Sequence, residues 1–221
     1  MSISENQEKY FDRFIPIEDY EKEVGASDAW KFIKKYIPIK GRFLDIGCGG
    51  GAVLYFAQKD GWDVKGLEIS DGFAKFVSQK LGITVVTIDF LEYDGDKEMY
   101  DVISLRHVLE HLPDSILAMN KISSMLKKGG YGHFEFPNIN SLTHRLHRFL
   151  TKVKLEKKYY DSSYRPGHCN EFCKRSFQYL LNVTGFELVR WETYSFKPVT
   201  NFIYNNIKIG TKARAVVRKV K

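Results

Sequence analysis

The sequence predicts an α/β fold, a doubly wound and mostly parallel sheet with helices on both faces, and three observations carry that reading. Short apolar runs rich in β-branched residues alternate with segments of helical period along most of the chain. The stretch Phe43–Gly51, FLDIGCGGG, runs from an apolar strand bearing Asp45 into a glycine turn with a helix directly behind it. Asp45, Glu68 and Asp89 stand at or near the ends of three successive strand candidates. Ligands of such sheets sit beyond the carboxyl ends of the strands, so these acids are expected around one crevice.

The elements follow in order. Asp28 is placed to cap a helix reaching about Tyr36, with Trp30, Ile33 and Ile37 on one face. Arg42–Ile46 is the first strand, Ala52–Asp60 a helix, Asp63–Glu68 the second strand and Asp71–Leu81 the next helix. The β-branched run Ile83–Ile88 reads as strand three, and Tyr100–Leu105 as strand four. Pro113 and Asp114 open a helix to about Lys127, Lys128–Gly129–Gly130 is expected to turn the chain, and Tyr131–Phe136 is strand five. Beyond Pro137 comes a basic insertion, residues 138–170, read as a lid. Cys173–Val183 reads as a helix closed by Gly185, Phe186–Tyr194 as strand six, and Phe202–Ile209 as the place of a seventh. The whole, residues 1–221, is expected to be one domain with a helical cap over 1–40.

A chain of 221 residues, 43% hydrophobic and 14% aromatic, has enough apolar surface for a sizeable core. No run approaches the ~20 apolar residues of a membrane span, and Met1–Tyr10 is too polar for a signal sequence, so a cytoplasmic enzyme is expected. Three cysteines form no disulfide framework.

The glycine turn admits two nucleotide chemistries. Gly47, Gly49 and Ala52 satisfy G-x-G-x-x-G/A, with Glu68 about 20 residues on, as a dinucleotide oxidoreductase requires. Asp45 would repel a pyrophosphate there, whereas a sulfonium-bearing amino acid brings a cationic ammonium and no phosphate. With LDIGCGGG on the page, the chain resembles the class I S-adenosylmethionine-dependent methyltransferases. That resemblance implies a Rossmann-like sheet of order 3-2-1-4-5-7-6 with an antiparallel seventh strand, and S-adenosyl-L-methionine as cofactor. It implies Asp45, Gly47, Cys48 and Gly49 around the methionine part, Glu68 on the ribose hydroxyls, and Asp89 on the adenine amine. Ile69 and Phe90 would be its apolar cover.

Tyr100–Asp114, YDVISLRHVLEHLPD, resembles the "hVLEHLpD" stretch of a subgroup that includes the ubiquinone-pathway O-methyltransferases. Leu126–Asn138 and Arg165–Phe186 resemble further motifs of the same subgroup, so the likeness runs from about Phe43 to Val189. It puts Arg106 and His107 at the methionine end of the cofactor, Glu110 and His111 on the substrate side, and His168 facing the acceptor. His111 or His168 would take the acceptor's proton, with Glu110 orienting an imidazole. His107–His111 also spells the inverted zinc-peptidase signature H-x-x-E-H, but it follows a strand and precedes Pro113 where a peptidase needs a long helix. The region also resembles the E-x-x-E-H pattern of some ubiquinone-pathway O-methyltransferases and of small-RNA 3′-end 2′-O-methyltransferases, whose carboxylates and histidine hold a divalent ion, and so admits a metal-assisted RNA 2′-O-methyltransferase as an alternative. Here His107 replaces the first carboxylate, which leaves a poorer set for a hard cation, so no metal is expected.

The net charge of +7 is concentrated in two stretches. Leu142–Tyr160 holds Arg145, Arg148, Lys152, Lys154, Lys157 and Lys158 against Glu156 alone, and Tyr204–Lys221 is basic with no acid. Such charge fits an anionic small-molecule or glycan acceptor, a membrane face or nucleic acid, or else a solvated helix face and a frayed end. No nucleic-acid reader motif is present. Leu142, Leu146, Phe149, Leu150 and Val153 form a stripe opposite the basic residues, suited to a membrane surface or to the packing face of a lid. His144 and His147 read as solvated, and His133 as a core or surface histidine of strand five. The aromatic cluster Tyr10, Phe11 and Phe14 is a further candidate cover for the cleft. Three function classes follow: an O-methyltransferase, a nicotinamide oxidoreductase, and a basic binding module without catalysis.

Overall fold

The computed structural model describes residues 17–155, 168–194 and 210–220. Tyr10, Phe11 and Phe14 lie outside them. Seven strands form one sheet: β1 (Arg42–Ile46), β2 (Asp63–Glu68), β3 (Thr84–Thr87), β4 (Tyr100–Arg106), β5 (Leu126–Pro137), β6 (Phe186–Tyr194) and β7 (Lys212–Lys219). Their order is β3-β2-β1-β4-β5-β7-β6. Pairings from β3 to β5 are parallel, and β7 runs antiparallel to both β5 and β6. The helices are α1 (Ile17–Tyr20), α2 (Val24–Tyr36), α3 (Ala52–Lys59), α4 (Asp71–Leu81), α5 (Ser115–Met125), α6 (Leu142–Lys152) and α7 (Lys174–Thr184). No helix among the described residues is long and apolar enough to cross a membrane.

Two apolar layers sandwich the sheet, and the strand period of two decides which residue joins which. Phe43 and Val102 face α2, α3 and α4, meeting Trp30, Ile33, Leu54 and Val77. Leu44, Ile46, Ile103 and Leu105 face the other way, toward Met119 and Ile122 of α5 and Phe177 and Leu181 of α7. Each such side chain, fully buried, contributes about 1.5–3 kcal/mol. Asp45 points to the same side as Phe43, so its carboxylate comes out between the sheet and the N-terminal helices.

Three expectations are corrected. The first long helix starts at Val24 and is capped by Glu23, whose carboxylate accepts from Ala26 N at 2.8 Å. Asp28 instead sits inside that helix and pairs with Arg214 at 3.2 Å, a partner 186 positions away that no local rule can anticipate. The α5 helix ends at Met125, and β5 begins at Leu126 and runs through Lys128–Gly129–Gly130. Gly129 takes φ +76° there, and the β4–β5 register shifts between Tyr100 and Val102, so the glycines make an irregularity within the strand and no turn. Phe202–Ile209 lies outside the described residues, and the strand that fills the seventh place is Lys212–Lys219. This basic segment is therefore an interior strand. Of the two places open to His133, the structure gives the core: it is fully buried on β5, with Nδ1 3.3 Å from Ser104 Oγ, and burial depresses it to about 4, so it is neutral.

Candidate active site

The glycine turn is held by the neighbouring strand. Gly47 N and Cys48 N both donate to Leu67 O, at 2.8 and 3.2 Å, and Gly49 N donates to Glu68 Oε2 at 2.8 Å. Gly47 has φ +67°, and a Cβ there would lie 2.4 Å from the Val108 side chain, so only glycine fits. Gly51 caps α3 in the left-handed region at φ +79°, and a Cβ on it would meet Val77 at 2.6 Å. At Gly49 and Gly50 nothing lies within 4 Å of where a Cβ would be, so this part of the turn faces open space.

That space is a cavity of about 270 Å³ bordered by Asp45, Gly47, Cys48, Arg106 and His107, all expected from the sequence. Asp45 is buried and its Oδ1 has no hydrogen-bond partner. Burial pushes the carboxyl up to about 7, although Arg106 and Ser104 draw it down. Arg106 is oriented by Glu135, which accepts from its Nε at 2.9 Å; burial would raise Glu135, but the guanidinium holds it below the usual carboxylate range. Burial raises the Cys48 thiol, so it is a neutral wall of the cavity. An acid with one open oxygen beside a guanidinium suits the ammonium and carboxylate of a zwitterionic amino-acid group.

Tyr20, Glu23 and Phe73 also border the cavity, and sequence reading missed them. The Tyr20 hydroxyl donates to Gly50 O and burial pushes it up to about 12. The signal for Tyr20 and Glu23 was absent, because the N-terminal helices reach the turn only through tertiary packing.

Glu68 is buried, and each of its oxygens takes one backbone N–H, Oε2 from Gly49 and Oε1 from Ser70 at 2.9 Å. A second lone pair on each remains for ribose hydroxyls. Asp89 is exposed and caps a single 3₁₀ turn, accepting from Leu91 N at 2.8 Å. Phe90 packs into the core while Ile69 is 60% exposed, so of the two apolar candidates Ile69 is the accessible one.

After β4 the chain bends at His107, a non-glycine residue at φ +56°. His107 Nδ1 lies 3.3 Å from Glu110 Oε1, and Nε2 lies 3.1 Å from Lys212 Nζ. A lysine ammonium only donates, so Nε2 accepts and the ring proton sits on Nδ1, facing the carboxylate. Glu110 and His111 follow on the short 3₁₀ turn Leu109–His111, which is not the long helix of a zinc peptidase. Glu110 O accepts from Cys169 N at 2.7 Å and Asn170 N at 3.0 Å, and this ties the segment leading into α7 to the turn after β4. His168 is thereby brought to His111, ring centroids 4.7 Å apart and nearly perpendicular. Glu110, His111 and His168 offer ligand atoms all within 4.8 Å of one another, and buried Glu110 Oε2 has no hydrogen-bond partner. The three expected catalytic residues thus form one cluster, and the cluster also has the composition to hold a divalent cation. His107 touches the cluster through Glu110 Oε1 and Lys212 through its other ring nitrogen, and is not one of the three ligand residues.

A family profile described as "Methyltransferase domain" matches residues 17–190. A ubiquinone biosynthesis O-methyltransferase of Coxiella burnetii is 30% identical over 116 residues, 50% of this chain and 50% of that protein. The chain therefore spans about half the length of such relatives. Among solved structures, a SAM-dependent methyltransferase from Archaeoglobus fulgidus superposes with a TM-score of 0.63 at 20% identity, covering 92% of this chain and 98% of that one. Phosphoethanolamine N-methyltransferase 2 of Haemonchus contortus, solved with S-adenosyl-L-methionine, gives 0.65 at 15% identity over 88% of this chain and 53% of that one. The two structural likenesses speak for the fold. With the family match across most of its length, the seven-stranded order and the carboxylate-and-glycine turn in place, the chain belongs to the methyltransferase domain family, as a class I S-adenosylmethionine-dependent methyltransferase.

Proposed function

We propose that the protein methylates a hydroxyl oxygen of an anionic small-molecule or glycan acceptor. S-adenosylmethionine, when bound, supplies an activated methyl group on sulfonium. In this reading Asp45 and Arg106 hold the amino-acid part, the one by its open oxygen and the other by its guanidinium; Glu68, Ile69 and Asp89 hold the nucleoside. The single observation that supports oxygen as acceptor is the cluster of Glu110, His111 and His168 on the turn that follows the cavity. Removing a hydroxyl proton needs a base, and imidazoles held close to a carboxylate are suited to it. Glu110, tied by its backbone to the 169–170 segment, keeps both rings on one side of the cleft. Beyond that the protein has to align the reacting atoms to about 3–3.5 Å and keep water out.

The test is transfer of labelled methyl from S-adenosylmethionine to panels of hydroxyl and amine acceptors. Labelled hydroxyl products, reduced about 100-fold or more by His111→Ala or His168→Ala with cofactor binding retained, are expected. Labelling of amines alone overturns the oxygen reading.

A second reading is favoured by the open Glu110 Oε2. There Glu110, His111 and His168 hold a divalent cation that lowers the acceptor hydroxyl's pKa, and an RNA 2′-hydroxyl becomes a possible acceptor. Activity abolished by chelator and restored by a metal such as Mn²⁺ or Zn²⁺ distinguishes it from the base reading.

A further inference from the structure

Among the described residues the α6 helix is unlike the other long helices: none of its residues is buried. Leu142, Leu146, Phe149 and Val153, at helical spacing i, i+4, i+7 and i+11, are 48, 51, 59 and 44% exposed, and Leu155 just beyond is 78% exposed. A helix that served as a lid or a packing element would bury this stripe, as α7 buries Phe177, Leu180 and Leu181. Alongside it stand Arg145, Arg148, Lys152 and Lys154, and residues 142–155 contain no acid. Arg145, Lys152 and Lys154 enter no ion pair among the described residues.

We propose that α6 docks this protein on an anionic lipid bilayer surface, lying in the interface with its leucine and phenylalanine stripe down. The charge pattern favours this occupant. An apolar stripe alone would suit any greasy partner, but a stripe with basic side chains along it and no acid matches a plane of hydrocarbon covered by anionic headgroups. The position agrees. Ser141, whose hydroxyl caps the helix by accepting from His144 N, lies only four residues past the end of β5. Asn138 is tied to that edge by a bridge to Phe172 and by its own side chain to Gly210 O at 2.9 Å. The helix therefore leaves the sheet at the carboxyl edge of its parallel strands, where the active-site cluster also stands, and docking would set the cleft close to the bilayer.

The experiment is co-sedimentation of the full chain with vesicles of phosphatidylcholine alone or containing phosphatidylglycerol, at low and high salt. Sedimentation with the anionic vesicles only, weakened by salt, is expected. Leu146→Gln with Phe149→Gln should lower partitioning about tenfold or more, and Arg145→Gln with Lys152→Gln about 25-fold, at roughly fivefold for each charge. Circular dichroism and a melt in the same samples show that the variants fold. No sedimentation with anionic vesicles, or binding that survives the Leu146 and Phe149 changes, overturns the proposal. So does a wild-type dimer that those changes dissociate, because it assigns the face to a second copy. S-adenosylmethionine binding, measured without vesicles, should be unchanged in all variants. Vesicle docking thus stands or falls independently of the methyl-transfer reading.

Discussion

Two stretches account for this protein's net positive charge, and they meet opposite fates. On α6 the basic side chains stand in solvent beside an exposed apolar stripe. On β7 an equally basic stretch is threaded between β5 and β6, with Ala213, Ala215, Val216 and Val217 fully buried. There Arg214 reaches Asp28 and Glu192, both at 3.2 Å, and stacks over Phe32 at 4.3 Å, while Lys219 donates to Leu126 O at 2.9 Å. Charge density in sequence is thus silent about exposure. What separates the two is whether the folded chain supplies acids and carbonyls around the cations.

Substitutions should break this symmetry on a graded scale. The largest effect is expected from Val217→Asp on β7, an unpaired charge in the core that destabilises by about 4 kcal/mol or more, against under about 0.5 kcal/mol for Leu146→Asp on α6. Urea unfolding of both variants checks it, and equal losses would refute the contrast. Next is Arg214→Ala, which strips Glu192 and Asp28 of their common cation and should cost about 3 kcal/mol. Burial pushes Glu192 up, but the Tyr36 hydroxyl with Arg190 and Arg214 outweighs it and leaves its pKa below the usual range. That stabilisation is present above the ordinary carboxylate pKa and disappears as acid protonates the folded state, so the Arg214→Ala deficit should shrink below about pH 4.

Asp45→Asn is the third and has the opposite sign. Arg214 has its charge offset by Asp28 and Glu192, whereas the Asp45 carboxyl has an open oxygen and a pKa raised to about 7. Between about pH 4 and 7 the folded chain keeps a proton that the unfolded chain releases, so stability of the cofactor-free protein falls as pH rises through that window. The asparagine variant should lack this decline and melt higher at pH 8, by about 2 kcal/mol. It should also lose S-adenosylmethionine affinity, which in the wild type should strengthen as pH rises through 7. Calorimetry with and without cofactor reads both effects. The smallest effect is expected from Arg145→Gln with Lys152→Gln on α6, which should leave the melt within about 0.5 kcal/mol of wild type.

The parts legible in sequence were those fixed by backbone chemistry within a few residues. Gly47 and Gly51 need left-handed φ, Asp114 caps the helix after it, Gly185 ends α7, and alternating strand and helix patterns place β1 to β4. The cluster of Glu110, His111 and His168 was legible only through motif resemblance, since 57 residues separate its members and the ties from residues 169 and 170 to Glu110 O join backbone atoms. The β7 strand escaped because Lys212, Arg214, Arg218 and Lys219 mask an alternation whose small partners, Ala213 and Ala215, carry little hydrophobic signal. Tyr20 and Glu23 escaped because nothing local marks a residue that reaches a distant turn.

The placement of β7 also sets an order of events during synthesis. Among the described residues the edge strand β6 pairs with β7 alone, and β7 leaves the ribosome after every other strand of the sheet. The half of the sheet around the cofactor turn can assemble while translation continues, whereas β6 has no hydrogen-bonding neighbour until Lys212–Lys219 emerges. A nascent chain stalled before that point would therefore expose an unpaired sheet edge to chaperones and proteases.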